Sequence, residues 1–123
     1  MIRLINNAAL EWSIDATITS AQLHGTVSYL DMPRQDGVNL LSQLGTEEYS
    51  KISAAGDLTA CPAPVPIGTV RNIDEAAFYN ADSVTHQLTV KINNSGTDYL
   101  RVKQSLNPRQ TLQYSSANGW GVL

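Results

Sequence analysis

Residues able to do chemistry are few in this chain and widely spaced. His24 and His86 are its only histidines, and each falls within a stretch that reads as a strand. Were they to meet in space they could form a metal pair or a catalytic base. Otherwise they are strand histidines, exposed or hydrogen-bonded. The adjacent acids Glu47-Glu48 and Asp74-Glu75 do not make an acid pair if extended, because neighbouring strand residues point to opposite faces. They read as solvated. Cys61 is the one cysteine, which excludes an internal disulfide and a thiolate zinc site and suits a small apolar filler. The glycines never cluster with a lysine in the order a phosphate loop requires. These spacings predict no catalytic residue, no metal site and no cofactor.

Aromatic residues offer a different kind of chemistry. Trp12, Trp120, Tyr29, Tyr49, Tyr79, Tyr99 and Tyr114 could stack on sugar rings, or pack in a core or a subunit interface. Trp120 lies between Gly119 and Gly121, which favours a ring laid flat over a sheet edge. Tyr99 alternates with Leu100 and Val102 and shares its face with Arg101 and Lys103, a row that would be solvated or would touch a partner chain.

The elements that must position these residues are strands. Leu88, Val90 and Ile92 alternate with Gln87, Thr89 and Lys91, Leu100 pairs with Val102, and Leu112 with Tyr114. Asn93-Asn94-Ser95-Gly96 supplies residues that tolerate positive φ, predicting a hairpin whose loop runs from Ile92 to Asp98. Asn107-Pro108 turns the chain again, and Asn118-Gly119 opens a last strand from Trp120 to Leu123. Nearer the start, Trp12, Ile14, Ala16 and Ile18 predict a core strand ending near Thr19-Ser20. Leu23, Val27 and Tyr29 make the apolar face of the next, and Gly25 interrupts it, signalling a bulge or a close backbone approach.

Between them lie less regular stretches. PRQDG, residues 33–37, reads as a surface turn. In residues 39–55, Leu41, Leu44, Tyr49 and Ile52 allow one or two helical turns, and Thr46 before Glu47-Glu48 resembles a helix start. Alternation there permits a strand instead. The prolines of CPAPVP impose an extended segment crossing between two sheets. GTVRNIDEAAFYN predicts strand in two pieces around Asp74-Glu75, with Val70, Phe78 and one of Ala76 or Ala77 inward.

Eight or nine short strands without a parallel crossover pattern predict an all-β, single-domain antiparallel β-sandwich, jelly-roll-like, with at most one short helix. Residues 1–10 are expected to form an N-terminal arm or edge strand, and residues 11–123 the sandwich. A chain of 123 residues can bury about two thirds of its unfolded surface in one core. Its net charge of −3 gives no basic field for nucleic acid. No stretch has the length of a membrane span or a signal peptide's apolar core, so a soluble product is expected.

One resemblance adds to this. Asn80 and Asp82 before Val84-Thr85-His86-Gln87-Leu88-Thr89-Val90, the strand from Tyr99 to Lys103, the turn Ser105-Leu106-Asn107-Pro108, Thr111-Leu112-Gln113-Tyr114 and the close Gly119-Trp120-Gly121-Val122 form one pattern. Together with SAQLHGTVSYLD and its Tyr29-Leu30-Asp31, it resembles a group of small tailed-bacteriophage virion proteins. The chain departs from that group in residues 38–56, an insertion-like stretch, and at Arg109-Gln110, where a glycine and an acid are usual. The resemblance implies a non-enzymatic structural protein of the virion, most simply a capsid decoration or cement protein. Its partners would be the major capsid protein or other virion subunits, and it would itself assemble as a homo-oligomer, a trimer in the first instance. A receptor- or carbohydrate-binding module of a tail, neck or fibre is the alternative, with exposed Trp12, Tyr49 or Tyr99 stacking on sugars. Partner contacts are expected from Ile2, Leu4, Ile5, Leu40, Leu41, Leu44, Tyr49, Tyr99 and Arg101. On this reading, removal of residues 1–9 leaves a folded domain that no longer loads onto particles.

Overall fold

The computed structural model describes residues 1–33, 46–65 and 68–123. They form ten strands: β1 (Ile2–Ile5), β2 (Ala8–Ile14), β3 (Leu23–Pro33), β4 (Thr46–Ile52), β5 (Leu58–Cys61), β6 (Thr69–Tyr79), β7 (His86–Asn94), β8 (Thr97–Leu106), β9 (Thr111–Ser115) and β10 (Gly119–Val122). One sheet has the order β10-β9-β6-β3-β4, with β1 also on β6, and the other runs β5-β2-β7-β8. All pairings are antiparallel. The two sheets pack face to face as a single-domain β-sandwich, and no helix occurs among the described residues. The nesting of a jelly roll is present in part: β2 pairs β7 in one sheet and β3 pairs β6 in the other, whereas β4 and β5 lie in different sheets.

Alternation builds the core as expected in β2 and β7. Ala8, Leu10, Trp12 and Ile14 on β2 meet Leu88 and Val90 on β7, facing Leu23, Val27, Ala76, Phe78 and Leu112 of the other sheet. Trp12 is fully buried, lies 4.9 Å from the Phe78 ring and donates its Nε1–H to Ser50 Oγ. Gly25 sits against this pair. A Cβ there would fall 2.9 Å from Ser50 Oγ and 3.0 Å from the Trp12 ring, so the position is a close approach of backbone to side chains.

Besides a register shift between β2 and β5 at Leu10 and Glu11, two bulges change which residues share a face. The first is between Ser28 and Tyr29, opposite Asp74 and Glu75. Strand β6 is therefore continuous, but its inward positions switch from Thr69, Arg71 and Ile73 to Ala76 and Phe78. Val70 is consequently not in the inward row, and Arg71 is. The second sits between Val90 and Lys91, so Val102 pairs Val90 on the inner face while Leu100 pairs Lys91 on the outer. Leu100 and Val102 thus occupy opposite faces, and the expected row of Tyr99, Arg101 and Lys103 on one face does not form.

Three further expectations are corrected. Thr46-Glu47-Glu48 begins β4 and not a helix, because Glu48, Ser50 and Ile52 can face inward while the backbone pairs along β3. The hairpin after β7 is tighter than residues 92–98, with Asn94 opposite Thr97 and only Ser95 and Gly96 between them, at φ 52° and 92°. Two successive positive φ angles make the turn whose twist matches its strands. The strand begun at Ala8 ends at Ile14, since the backbone of Thr19 to Ala21 is drawn to Asp82. The proline segment, from Pro62 on, joins β5 in one sheet to β6 in the other, as its rigidity predicted.

The N-terminal strand is no free arm. β1 pairs β6 from Ile2 opposite Ile73 to Ile5 opposite Val70, and Ile2 and Leu4 are 1% and 0% exposed. They belong to the core and are withdrawn as partner contacts.

Candidate functional site

Polar chemistry inside the sandwich gathers at its two ends, which lie at opposite ends of β6. At one end Asn80 and Asp82 follow β6, and His86 opens β7. All three are fully buried. Asp82 accepts hydrogen bonds from the backbone amides of Thr19, Ser20, Ala21 and Ser83, from the Ser20 hydroxyl, and at 2.7 Å from His86 Nε2. Asn80 donates to the carbonyls of Val84 and Leu106 and accepts from the Asp82 amide. The other ring nitrogen of His86 lies 3.2 Å from Asp15. Burial pushes the Asp82 carboxyl up, but the bonds from His86 and from the amides of Thr19, Ser20 and Ser83 outweigh it and hold the group well below the usual carboxylate range.

That node could be mistaken for a catalytic dyad. Both His86 nitrogens are engaged and its ring is 1% exposed, so it has no free nitrogen for a substrate. The residues instead tie the 19–21 turn, the start of β7 and the end of β8 together. His24 is on the solvent face of the other sheet, opposite Lys51 and Tyr79, and the two histidines do not form a pair.

The node makes stability depend on pH in the acid range. The folded-state pKa of Asp82 is below its unfolded value of about 3.9, so between the two the unfolded chain binds more protons. The node's contribution is complete above about pH 4 and is lost as pH falls below it. Chemical denaturation from pH 7 to pH 2 should show stability declining below about pH 4, and Asp82→Asn should flatten the decline. An unchanged acid limb in Asp82→Asn would assign it to other carboxylates.

At the opposite end Arg71 points between the sheets. Its Nε and Nη2 donate to the two carboxylate oxygens of Asp31 at 2.7 and 2.8 Å, and its Nη1 to the Pro62 carbonyl at 2.7 Å. The guanidinium also lies 4.0 Å over the Tyr29 ring. Asp31 keeps the guanidinium charged against the opposing effect of burial. Beside it, burial pushes the Cys61 thiol up to about 12, with Arg71 pulling the other way. A thiol so placed is a core filler and not a nucleophile.

Surfaces hold what remains. Ile5, Tyr49, Tyr99 and Arg101 are exposed, Tyr49 at 70% and Tyr99 at 55%. Leu40, Leu41 and Leu44, like the residues 34–37 of the expected turn, lie outside the described residues. Trp12 is removed from any sugar-stacking role by its burial, and Trp120 is half-buried against Tyr114 and Phe78. Among the described residues no group of three His, Cys, Asp or Glu side chains could hold a metal ion.

Two exposed features were not foreseen in the sequence. One is Leu100, 63% exposed on β8, which among the described residues is an edge strand paired only with β7. The other is a trough of about 400 Å³ across the solvent face of the larger sheet, lined among others by Thr26, Ser28, Glu47, Glu75, Gln113 and Gly121. Register brings those residues together from five strands, and none is near another in the chain except by pairs. A scan for known families, a search of curated proteins and a search of solved structures find no match to this chain.

Proposed function

We propose that the chain is a structural subunit of a tailed-bacteriophage virion, a decoration or cement protein that binds the major capsid protein, or another virion subunit, as a homo-oligomer, a trimer in the first instance. The observation that carries this reading is the open edge of β8. Its residues Thr97 to Arg101 are all exposed, and Tyr99 and Leu100 present apolar surface on the two faces of an edge that, among the described residues, has no strand beyond it. Such an edge favours addition of a strand from a partner. Arg101 and Lys103 on the same edge discourage uncontrolled stacking of copies and suit a partner bearing acids.

The remaining chemistry supports the same reading. His86, Cys61 and Arg71 are engaged in or buried by the fold, which leaves recognition to surface groups. Leu100→Glu puts a charge on the edge without touching the core. Incubated with particles lacking the protein, it should reach occupancy only at concentrations about tenfold or more above wild type. Wild-type occupancy by Leu100→Glu would remove β8 from the interface, and failure of the unaltered protein to bind particles would end the virion reading.

A further inference from the structure

The trough on the larger sheet has a composition of its own. Register lays its solvent face out in rows across the strands β4, β3, β6, β9 and β10. One row is Glu47, Ser28, Glu75, Ser115 and Gly119. The next is Tyr49, Thr26, Ala77, Gln113 and Gly121. Each row spans four inter-strand spacings, about 19 Å. The floor is small, and the tall side chains are Glu47, Tyr49, Glu75 and Gln113.

We propose that this trough is a binding site for an uncharged saccharide. Among the described residues, the side chains of Thr26, Ser28, Glu75 and Gln113 make no hydrogen bond within the protein, so donors and acceptors line the hollow unpaired. Charge selects against ionic ligands. Glu47 and Glu75 repel anions, while Lys51 in the adjoining row, beside His24, offsets the attraction that a basic peptide would feel. What suits such a surface is a molecule that is neutral, rich in hydroxyls and carries apolar C–H faces. Carboxylate and amide groups hydrogen-bond the hydroxyls, and the exposed Tyr49 ring, across the ladder from Thr26, offers a face for stacking. Its volume lies within the range of small-ligand sites.

Gly121 is the second observation. A Cβ built there would meet nothing within 4 Å, and the residue does not require positive φ, so neither packing nor backbone explains a glycine in a strand. The missing side chain is what keeps that end of the trough open. Its neighbour across the ladder is Gln113.

Backbone-amide NMR of the whole chain, titrated with the neutral hexasaccharides of cellulose, starch and chitin and separately with an oligolysine, tests the site. One hexasaccharide should shift the amides of Thr26, Ala77, Gln113 and Gly121 saturably, with a Kd of about 1 mM or tighter. Gly121→Tyr should weaken that binding about tenfold or more at an unchanged melting temperature, and Leu100→Glu should leave it intact. If Gly121→Tyr melts early, Gln113→Ala reads the same loss. No saturable shift with any of the three sugars, shifts centred outside the trough, wild-type binding by Gly121→Tyr and Gln113→Ala, or oligolysine moving the same amides in place of sugar would each overturn the proposal. A trough that binds while Leu100→Glu still loads normally onto particles would sink the edge assignment and leave this one standing.

Discussion

A chain lacking residues 1–9 is expected not to fold at all. The truncation removes β1, whose Ile2 and Leu4 are buried between the sheets, together with buried Ala8 at the start of β2. Cutting a buried isoleucine or leucine to alanine costs about 2–5 kcal/mol. Losing both side chains and the ladder to β6 approaches the whole stability of a small domain, about 5–15 kcal/mol. The exposed flank is also damaged: residues 70–73 of β6 keep β3 on one side but lose their only partner on the other, leaving a bare edge beside Arg71. Circular dichroism and amide dispersion of the truncated chain should show an unfolded ensemble, and Ile2→Ala and Leu4→Ala should lower the denaturation midpoint singly. A truncated chain with a cooperative transition near wild type would mean that β1 packs on the sandwich without supporting it. In that case it could again be treated as an arm. If the truncated chain is unfolded, its failure to load onto particles says nothing about contacts.

Why the reading of residues 1–10 stayed open between an arm and an edge strand, and why Ile2 and Leu4 were expected to meet a partner, shows where sequence reasoning stops. A period of two states which residues share a face, and Ile2 and Leu4 do alternate with Arg3. It does not say which strand lies alongside, and here the partner, β6, is some seventy residues away. Strands with several apolar residues in phase, such as Leu88 and Val90, need no such information, because no other face can be the inner one. Gly25 was legible for the same reason, as a gap in an otherwise complete apolar row. The interruption at Asp74-Glu75 was legible, but its effect was not, because one inserted residue inverts every later position without changing composition. Asp74-Glu75 and Arg101 look like ordinary polar strand residues, yet they decide that Arg71 faces in and Leu100 faces out. The polar node had a signal in the spacing of Asn80, Asp82 and His86, but its donors at Thr19 to Ala21 come from a different part of the chain. The trough had none. Its two rows exist only as register between strands, and Ala77, Gln113 and Gly121 taken singly carry no mark of a surface.

The inward turn of Arg71 leads to the second large effect. Arg71→Met should destabilise the chain by about 3 kcal/mol, the low end of what breaking a buried ion pair costs, because Asp31 is 21% exposed at its side chain and can be partly solvated. Three hydrogen bonds go at once: two to Asp31 and one to the Pro62 carbonyl. What remains is a half-covered carboxylate without its cation, a carbonyl with a vacant acceptor and a Tyr29 ring without its guanidinium. Asp31→Leu alone is expected to be worse, since it leaves a guanidinium only 6% exposed with no counter-charge. The double variant separates pairing from packing. With both charges gone, methionine and leucine fill the end of the sandwich with apolar volume, and the double variant should recover at least half of the larger single loss. Urea denaturation of the four chains closes the cycle. Single losses that simply add in the double variant would show that Arg71 contributes through its contacts with Tyr29 and Pro62, and that the bidentate pair with Asp31 contributes nothing net to the fold.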